Sequence, residues 1–395
     1  MQLTTRQLFF QHQAQTSPFP LSLEIVKAEG IYMEDVYGKK YIDFISGIAV
    51  SNVGHCHPKV VKAIQQQAET YMHLMVYGEY IQTPQVKLAK ALTDLLPPSL
   101  NSVYFVNSGA EATEGALKLA KRVTGRSEII CFKNAYHGST HGALSVMGSE
   151  DFKNSFRPLL PDVQIFDFNN EEQLDRISER TACVIVEPIQ GEAGVIPATT
   201  SFIEKLRKLC DQHGALLIFD EIQSGFGRTG SLFAFEQYNV IPDILLLAKG
   251  MGGGMPIGAF ISSQQLMSTL TNNPMLGHIT TFGGHPVSCA ASLACLEVIC
   301  QEKLYQQALL IEKTIRKKLI HPKIKSIRGR GAMLAIELGD ADLNLKTITA
   351  CITKGLITDW FLFCSTAMRI APPLIITEEE LNSACEVILE SLNQT

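Results

Sequence analysis

The sequence predicts a doubly wound α/β domain, in which helices cover both faces of a mainly parallel sheet. Short apolar runs, typical of parallel strands buried on both faces, lie at 103–106, 128–132, 215–219 and 244–248, and another begins at Cys183. Segments with helical periodicity, such as 202–213, alternate with these runs. Charged side chains follow several of the runs and should therefore meet at the carboxyl edge of the sheet.

Both ends of the chain differ from this pattern and predict a smaller α+β domain. Residues 1–20 are typical of an arm or entry helix, and residues 23–44 alternate as a small antiparallel sheet does. From about residue 301 the composition changes to a charged helix, and a strand follows. We therefore expect an N-terminal arm and small-domain segment at 1–50, a large domain at 51–295 and a C-terminal small domain at 296–395.

Composition limits the classes of partner. The chain has 395 residues, 46% of them apolar and 18% charged, with a formal net charge of −5 and no basic block, which argues against nucleic acid. No apolar run approaches the ~18 residues that a membrane span needs, and the first residues lack the pattern of a signal peptide. Ten cysteines without a C-x-x-C pair indicate buried thiols. We expect a cytoplasmic location.

Two strand ends carry the chemistry that stands out most. The apolar run 215–219 leads into Asp220, and the run 244–248 leads into Lys249, which a glycine cluster follows. Pyridoxal phosphate chemistry requires a lysine that forms a Schiff base and a buried carboxylate that keeps the pyridine nitrogen protonated. Lys249 and Asp220 are candidates for these roles. The alternative is that Asp220 caps a turn and Lys249 is a solvated residue at a strand end.

Two other interpretations apply to the same stretch. Gly225, Gly227 and Gly230 match the dinucleotide pattern G-x-G-x-x-G, but the aromatic and polar segment after them is not typical of a glycine-packed helix. The segment LLIFDE is similar to the acidic strand end of P-loop ATPases, but the chain has no G-x-x-x-x-G-K-[ST] phosphate loop.

The segment NSGAEATEGALKLAKR indicates an anion site at the start of a helix. Ser108, Gly109 and Ala110 lie where a strand passes into a helix, so their backbone N–H groups and the helix dipole favour a phosphate. The alternative is an ordinary N-cap by Asn107 or Ser108, and the two can coexist.

Histidines and an aromatic residue raise further possibilities. Tyr136 follows a strand and could stack on a flat ring. His137 and His141 are spaced for one helix face, but the glutamate of H-E-x-x-H is missing between them. The cluster from His55 to His57 lacks further ligands at zinc spacing. We predict no metal site.

Acidic and basic groups elsewhere complete the candidate set. Glu187 and Glu192 follow the run that begins at Cys183, and Arg369 lies at the end of a segment before a proline. An arginine there offers a bidentate clamp for a carboxylate, and the alternative is a surface salt bridge.

Nine segments, taken in order, resemble the class-III aminotransferases, a family of pyridoxal phosphate enzymes of fold type I that includes ornithine, acetylornithine and 4-aminobutyrate aminotransferases. The segments are GHCHP, NSGAEATEGALKLA, AYHGST, VEPIQGEAG, LLIFDEIQSGFGRTG, PDILLLAKGMGGGMPIGA, TTFGGHP, IRGRGAM and MRIAPPL. The resemblance covers nearly the whole chain, and the ordered set is more specific than any single motif.

The resemblance implies a role for each candidate. Lys249 would form the Schiff base and move a proton between the substrate carbon and the cofactor, while Asp220 pairs with the pyridine nitrogen. The other cofactor-binding residues that it implies are Ser108, Gly109 and Ala110 at the phosphate, Tyr136 and Ile222 at the ring faces, Gln223 near the phenolic oxygen, His137, Glu187, and Thr281 from the neighbouring subunit. The contact from Thr281 implies an obligate homodimer with two shared sites.

By the same resemblance, Glu192 and Arg369 accommodate two unlike substrates. Glu192 would pair with Arg369 while the ω-amine of the donor reacts, and would then release it to bind the α-carboxylate of glutamate or 2-oxoglutarate. The expected activity is transfer of a terminal amino group from an ω-amino donor to a 2-oxo acid by a ping-pong mechanism. A mutase, racemase or decarboxylating relative is the alternative, and a catalytically silent binding protein is a further one.

Two substrate-binding positions depart from the family pattern. This chain has Ser139 where many members carry an arginine that binds the second carboxylate, and Thr16 where ornithine-type members carry a tyrosine. Because a serine cannot replace a bidentate guanidinium, either another cation compensates or the substrate pair differs from the usual one.

Overall fold

A computed structural model describes residues 3–395, which form twelve α-helices and seventeen strands. The N-terminal part contains α1 (Thr5–His12), β1 (Ile25–Glu29), β2 (Tyr32–Asp35), β3 (Lys40–Asp43), α2 (Ser46–Ala49), α3 (Pro58–Thr70) and α4 (Thr83–Thr93). The middle part contains β4 (Ser102–Val106), α5 (Gly109–Thr124), β5 (Glu128–Phe132), α6 (His141–Ser145), β6 (Val163–Phe166), β7 (Thr181–Val186), β8 (Ile189–Gln190), β9 (Ile196–Pro197), α7 (Thr200–His213), β10 (Leu216–Asp220), β11 (Ile244–Leu247), β12 (Gly258–Ser262), α8 (Gln264–Met267) and α9 (Pro286–Gln301). The C-terminal part contains α10 (Leu304–Lys318), β13 (Ser326–Arg330), β14 (Met333–Glu337), α11 (Ala341–Thr353), β15 (Leu356–Ile357), β16 (Trp360–Phe361), β17 (Cys364–Ile370) and α12 (Glu378–Gln394).

The largest sheet has seven strands in the order β4-β12-β11-β10-β7-β5-β6. Adjacent strands from β11 to β6 run parallel, whereas β12 is antiparallel to both of its neighbours. Side chains of β7, β10 and β11 are almost all buried, because helices cover both faces of the sheet. The predicted α/β fold with a mainly parallel sheet is confirmed.

Strand register brings two predicted residues to the same edge. In the parallel pairing of β10 with β11, Asp220 lies opposite Leu246, three residues before Lys249. Since both strands run in the same direction, the chain leaves them on the same side of the sheet. Asp220 and Lys249 therefore meet at the carboxyl edge.

Two smaller four-stranded sheets lie outside the large one. The first has the order β1-β2-β3-β15, in which the C-terminal strand β15 pairs in parallel with the N-terminal strand β3. The second has the order β13-β14-β17-β16 and is antiparallel throughout. The two chain ends thus share a sheet, as expected for a smaller α+β part, while the domain boundaries at 50 and 295 stay a prediction.

Local signals set the ends of the helices around the large sheet. Ser108 caps α5 by accepting a hydrogen bond from the backbone N–H of Glu111. Gly214 ends α7 in the left-handed conformation with φ of 64°, which glycine adopts without strain. Pro58 begins α3, as predicted. Among residues 3–395, no helix combines the length and apolar character needed to cross a membrane.

Candidate active site

A cavity of about 580 Å³ lies at the carboxyl edge of the large sheet. Its walls come from the loops after β4, β5, β7, β10 and β11, because these loops all leave the sheet at that edge. The predicted site residues that line it are Ser108, Gly109, Ala110, Tyr136, His137, Ser139, Glu187, Glu192, Asp220, Ile222, Gln223 and Lys249. Segments that are far apart in the sequence thus contribute to one pocket.

Lys249 begins a short 3-10 turn that follows β11. Its backbone has φ of 45°, an uncommon conformation for a residue with a side chain, of the kind that costs ~1 kcal/mol or more and clusters at functional sites. Burial lowers the pKa of its ammonium group, although Glu192 and Asp220 oppose this effect. A lower pKa increases the neutral, nucleophilic fraction of the amine. Lys249 is half-buried and lines the cavity, so it is not a fully solvated residue of the surface.

Asp220 forms a buried charge pair with His137. Asp220 is 4% exposed and His137 is 2% exposed, and Oδ2 of Asp220 lies 2.6 Å from Nδ1 of His137. Burial alone would lower the pKa of His137, but the hydrogen bond and the negative charge of Asp220 raise it. Oδ1 of Asp220 accepts from the backbone N–H of Ile222, so both oxygens have partners.

The N-terminus of α5 forms a cradle beside the cavity. Ser108 caps the helix, as the simpler interpretation predicted, and Gly109 and Ala110 also line the cavity. A Cβ on Gly109 would lie 2.8 Å from Cδ1 of Ile222, so a larger residue here would require the side chain of Ile222 to shift. Glu111 accepts from both the backbone and the side-chain nitrogen of Asn107, at 2.8 Å each, and thereby orders the entry to the helix.

Glu187 lies beneath the segment that carries Tyr136. Its two oxygens accept from the backbone N–H groups of Tyr136, at 3.0 Å, and Gly191, at 2.8 Å. Burial raises the pKa of Glu187 to about 7, with His137 lowering it and Asp220 raising it further. The hydroxyl of Tyr136 shares a hydrogen bond of 3.1 Å with that of Ser139, which fixes the exposed side of the cavity.

Glu192 and Arg369 form a bidentate ion pair next to Lys249. Oε1 of Glu192 accepts from Nη1 of Arg369 at 3.1 Å, and Oε2 accepts from Nη2 at 2.8 Å. Burial would raise the pKa of Glu192, but the charge and hydrogen bonds of Arg369 hold it below its usual value. Arg369 is 4% exposed, so the alternative of a surface salt bridge is wrong.

Sequence reasoning missed Asp359, which takes part in this arrangement, and named Asn107 only as a possible N-cap. Asp359 accepts from Nε of Arg369 at 2.8 Å, and Asn107 lines the cavity and donates to Thr280 at 2.8 Å. The signal for Asp359 would have been the hairpin of β16 and β17, which folds residues 359 and 369 together. The signal for Asn107 was its position directly before the predicted phosphate cradle.

Three predicted residues do not line this cavity. Arg369 reaches it through Glu192, whereas Thr16 and Thr281 are exposed and lie outside it. His137 lies outside the helix that starts at His141, and it pairs with Asp220. The two histidines therefore do not share a helix face. In residues 3–395, no group of three histidine, cysteine or acidic side chains is placed to hold a metal ion.

The donor set suits an aldehyde cofactor with a phosphate and a basic ring nitrogen. Asp220 provides the anion for the ring nitrogen, Lys249 provides the amine, and the start of α5 provides N–H groups for a phosphate. Nε2 of His137 is buried without a hydrogen-bond partner in the protein, so it is free to form a hydrogen bond beside the ring site. The fold and this site together define the class of pyridoxal-phosphate-dependent transferases.

Comparison with known proteins gives the family. The model of the family "Aminotransferase class-III" matches residues 13–392. The acetylornithine aminotransferase of Methanopyrus kandleri is 39% identical over 394 residues, covering 99% of each chain, and that of Methanocaldococcus jannaschii is 43% identical over 387 residues, covering 94% of this chain and 93% of the relative. The solved ornithine aminotransferase of Toxoplasma gondii, whose active site is described with partial occupancy of pyridoxal phosphate, superposes with a TM-score of 0.90 at 32% identity, covering 99% of this chain and 94% of that one.

The chain therefore belongs to the class-III aminotransferases, and it is a pyridoxal-phosphate-dependent transaminase. The family predicted from the nine sequence segments is confirmed.

Proposed function

We propose that this enzyme transfers the terminal amino group of an ω-amino donor to a 2-oxo acid, with 2-oxoglutarate as the acceptor, in a ping-pong reaction. The observation that carries this proposal is the bidentate pair of Glu192 and Arg369 beside Lys249. The pocket must accept an acceptor that has a carboxylate at this position and a donor that has none. A guanidinium that the carboxylate of Glu192 can cover or expose suits both substrates.

The residues of the cavity divide the work of holding the cofactor. Ser108, Gly109 and Ala110 would bind the phosphate, since they begin α5, and Thr281 of a second copy would join them. Asp220, held by His137, would pair with the ring nitrogen. The remaining contacts are Tyr136 and Ile222 at the ring faces, Gln223 at the phenolic oxygen and Glu187 beneath Tyr136.

When bound there, pyridoxal phosphate supplies an aldehyde and an electron-withdrawing ring. In each half-reaction Lys249 would move a proton at its Nζ between the substrate carbon and the bound cofactor, so the proton taken from the donor carbon passes to the cofactor before the second half-reaction begins. Its lowered pKa favours this work, because a neutral amine is needed to accept the proton. Tyr136 and Glu192 form part of the walls of the pocket that holds the amine.

Glu192 and Arg369 would adopt a different arrangement in each of the two half-reactions. While Glu192 covers Arg369, the pair is neutral overall, so a donor arrives with its amine and without a carboxylate at this position. When Glu192 withdraws, the guanidinium can bind the carboxylate of the acceptor in the same bidentate geometry. In this exchange one carboxylate replaces another at the guanidinium.

The donor class rests on the relatives and on Ser139. Acetylornithine and ornithine are the substrates in the names of the relatives, and both carry a terminal amine. Ser139 bonds to Tyr136 and offers no cation, so the far end of the donor is bound without a guanidinium from this position. Thr16 lies outside the cavity of its own chain, so its bearing on the donor requires a second copy.

We also propose a homodimer and a reducing, cytoplasmic location. Thr281 is exposed and outside the cavity of its own chain, which suits a residue that completes a neighbouring site. All ten cysteines are free thiols, as is usual in a reducing compartment.

Half-reaction spectroscopy tests the proposal. The holoenzyme is mixed in turn with ornithine, N-acetylornithine, 4-aminobutyrate and lysine, and its absorbance near the visible edge is followed without an acceptor. We expect at least one ω-amine to shift the band and 2-oxoglutarate to restore it, and we expect no such band in Lys249→Ala. A holoenzyme whose band no amine changes would contradict the proposal.

A further inference from the structure

A hairpin surrounds the ion pair of Glu192 and Arg369. None of the roles predicted from the sequence involves this hairpin. Residues 359–364, which we call the Arg369 hairpin, comprise Asp359, β16 and the turn into β17. Directly before β16, the backbone oxygen of Asp359 accepts from the backbone N–H of Arg369 at 2.8 Å. The side chain of Asp359 accepts from Nε of the same residue, also at 2.8 Å.

The hairpin encloses the rest of the guanidinium as well. The ring of Phe361 lies 4.3 Å from the guanidinium carbon, and the backbone oxygen of Trp360 accepts from Nη2 at 3.3 Å. A cation over the face of an aromatic ring is attracted by the negative potential of that face. Arg369 therefore has partners on its Nε edge and on one face, in addition to Glu192.

The same hairpin contacts Glu192 through its turn. The backbone N–H of Leu362 donates to Oε2 of Glu192 at 3.2 Å, and the backbone N–H of Phe363 donates to the backbone oxygen of Glu192 at 3.1 Å. One short segment thus holds both members of the pair. Any movement of Glu192 takes place against a hairpin that stays bonded to Arg369.

The two carboxylates occupy different edges of the guanidinium. Glu192 takes the two terminal nitrogens and lines the cavity, whereas Asp359 takes Nε and does not line it. Replacement of Glu192 by a substrate carboxylate therefore leaves the bond to Asp359 intact. Asp359 would thus fix the rotamer of the Arg369 side chain before the substrate arrives, so that less side-chain entropy is lost when the substrate binds.

We propose that Asp359 is a positioning residue for the acceptor: it holds Arg369 by Nε so that the two terminal nitrogens face the cavity and take a substrate carboxylate in the place of Glu192. This inference rests on the proposed function. It assigns to Asp359 an effect on carboxylate binding alone, because the donor reacts while Glu192 covers Arg369.

Kinetics of the holoenzyme with two substitutions at one position test the proposal. Asp359→Ala removes the Nε partner, and we expect the KM for 2-oxoglutarate and the inhibition constant of glutarate, a dicarboxylate without an oxo group, to rise about tenfold. The rate of the donor half-reaction should stay within about twofold of the original. Asp359→Asn keeps an oxygen that can accept from Nε, so we expect it to restore both constants to within about threefold.

Glu312 supplies a matched control. Glu312 lies in α10 outside the cavity and accepts from Nε of Arg316 at 2.8 Å and from the backbone N–H of Gly331 at 2.6 Å, so Glu312→Ala removes a carboxylate–Nε bond elsewhere together with one backbone contact. We expect it to leave the KM for 2-oxoglutarate unchanged. An equal rise of that KM in Glu312→Ala would mean that loss of stability explains the result, and it would overturn the proposal.

Other results would also overturn it. One is that Asp359→Ala leaves the KM for 2-oxoglutarate and the inhibition constant of glutarate unchanged. Another is that Asp359→Asn raises these constants as much as Asp359→Ala does. A third is that Asp359→Ala slows the donor half-reaction by the same factor as it raises the two constants. If Asp359→Ala does not fold, Asp359→Ser, whose side chain is too short to reach Nε, takes its place. Arg369→Ala separates the two proposals. If Arg369→Ala leaves the KM for 2-oxoglutarate unchanged, the acceptor site of the proposed function is wrong. If this KM rises in Arg369→Ala but not in Asp359→Ala, only the role of Asp359 is rejected.

Discussion

Substitution of Glu192 by glutamine should make the enzyme bind its acceptor more tightly. Both oxygens of Glu192 accept from Arg369, and each has a further donor, the backbone N–H of Leu362 at 3.2 Å and Nε2 of Gln223 at 3.4 Å. A glutamine has one oxygen, so its NH2 group must face a donor and one contact with the guanidinium is lost. The remaining contact no longer carries a negative charge.

The size of the effect follows from these contacts. A hydrogen bond to a charged group contributes about 1.5–3 kcal/mol, so the loss of one of the two contacts in Glu192→Gln weakens the competition for Arg369 by at least about 1.5 kcal/mol. That difference corresponds to a KM for 2-oxoglutarate about tenfold lower. Asp359 still bonds to Nε, so Arg369 is not left as an unpaired buried charge and the protein should fold.

Steady-state kinetics with 2-oxoglutarate as the varied substrate measure this change, and glutarate inhibition gives an independent value for carboxylate binding. Glu312→Gln, which alters a more exposed arginine pair in α10 outside the cavity, is the control and should change neither constant. The reasoning would be refuted by a KM for 2-oxoglutarate that stays the same or rises in Glu192→Gln, because Glu192 would then not compete for Arg369.

Two further predictions concern pH and assembly. Because the pKa of Glu187 is raised from 4.5 to about 7, the folded state keeps a proton that the unfolded state loses, so the free energy of unfolding of the apoenzyme should fall as pH rises from 4.5 to 7. Glu187→Gln should reduce this fall by about 3 kcal/mol in urea titrations across the window, and parallel curves for the two proteins would argue against a protonated Glu187. For assembly, a hybrid of one Lys249→Ala and one Thr281→Ala subunit should keep one site with both original residues, so its activity should exceed that of either parent dimer. Activity no higher than the mean of the parents would exclude a shared site.

Several features of the fold could be predicted because they depend on local pattern. The buried runs that became β7, β10 and β11 are continuous and apolar, which distinguishes them from half-exposed strands. Strand β12 was not predicted, because Gly258–Ser262 is short and begins with glycine. Its antiparallel direction depends on pairing with β4 and β11, and no local periodicity encodes the direction of pairing.

In the candidate site too, features that depend on local pattern could be predicted, and contacts between distant segments could not. The positions of Asp220, Lys249 and Ser108 followed from strand ends, because any chain that leaves a parallel sheet at one edge brings such residues together. The contact of His137 with Asp220 joins residues 83 positions apart, and nothing in either segment indicates the other. Asp359 was missed for a related reason, because the bulge between Trp360 and Phe361 sets which residue of the hairpin lies opposite Arg369.

The sequence by itself determined the family, the mainly parallel sheet and the edge at which the lysine and the aspartate meet, since these depend on strand order and on side chains at strand ends. Only the tertiary structure decided which partners surround each charge: His137 for Asp220, and both Glu192 and Asp359 for Arg369. The physical reason is that a buried charge is satisfied by whichever groups packing brings within about 3 Å, and packing between distant segments is not written in the pattern of either segment.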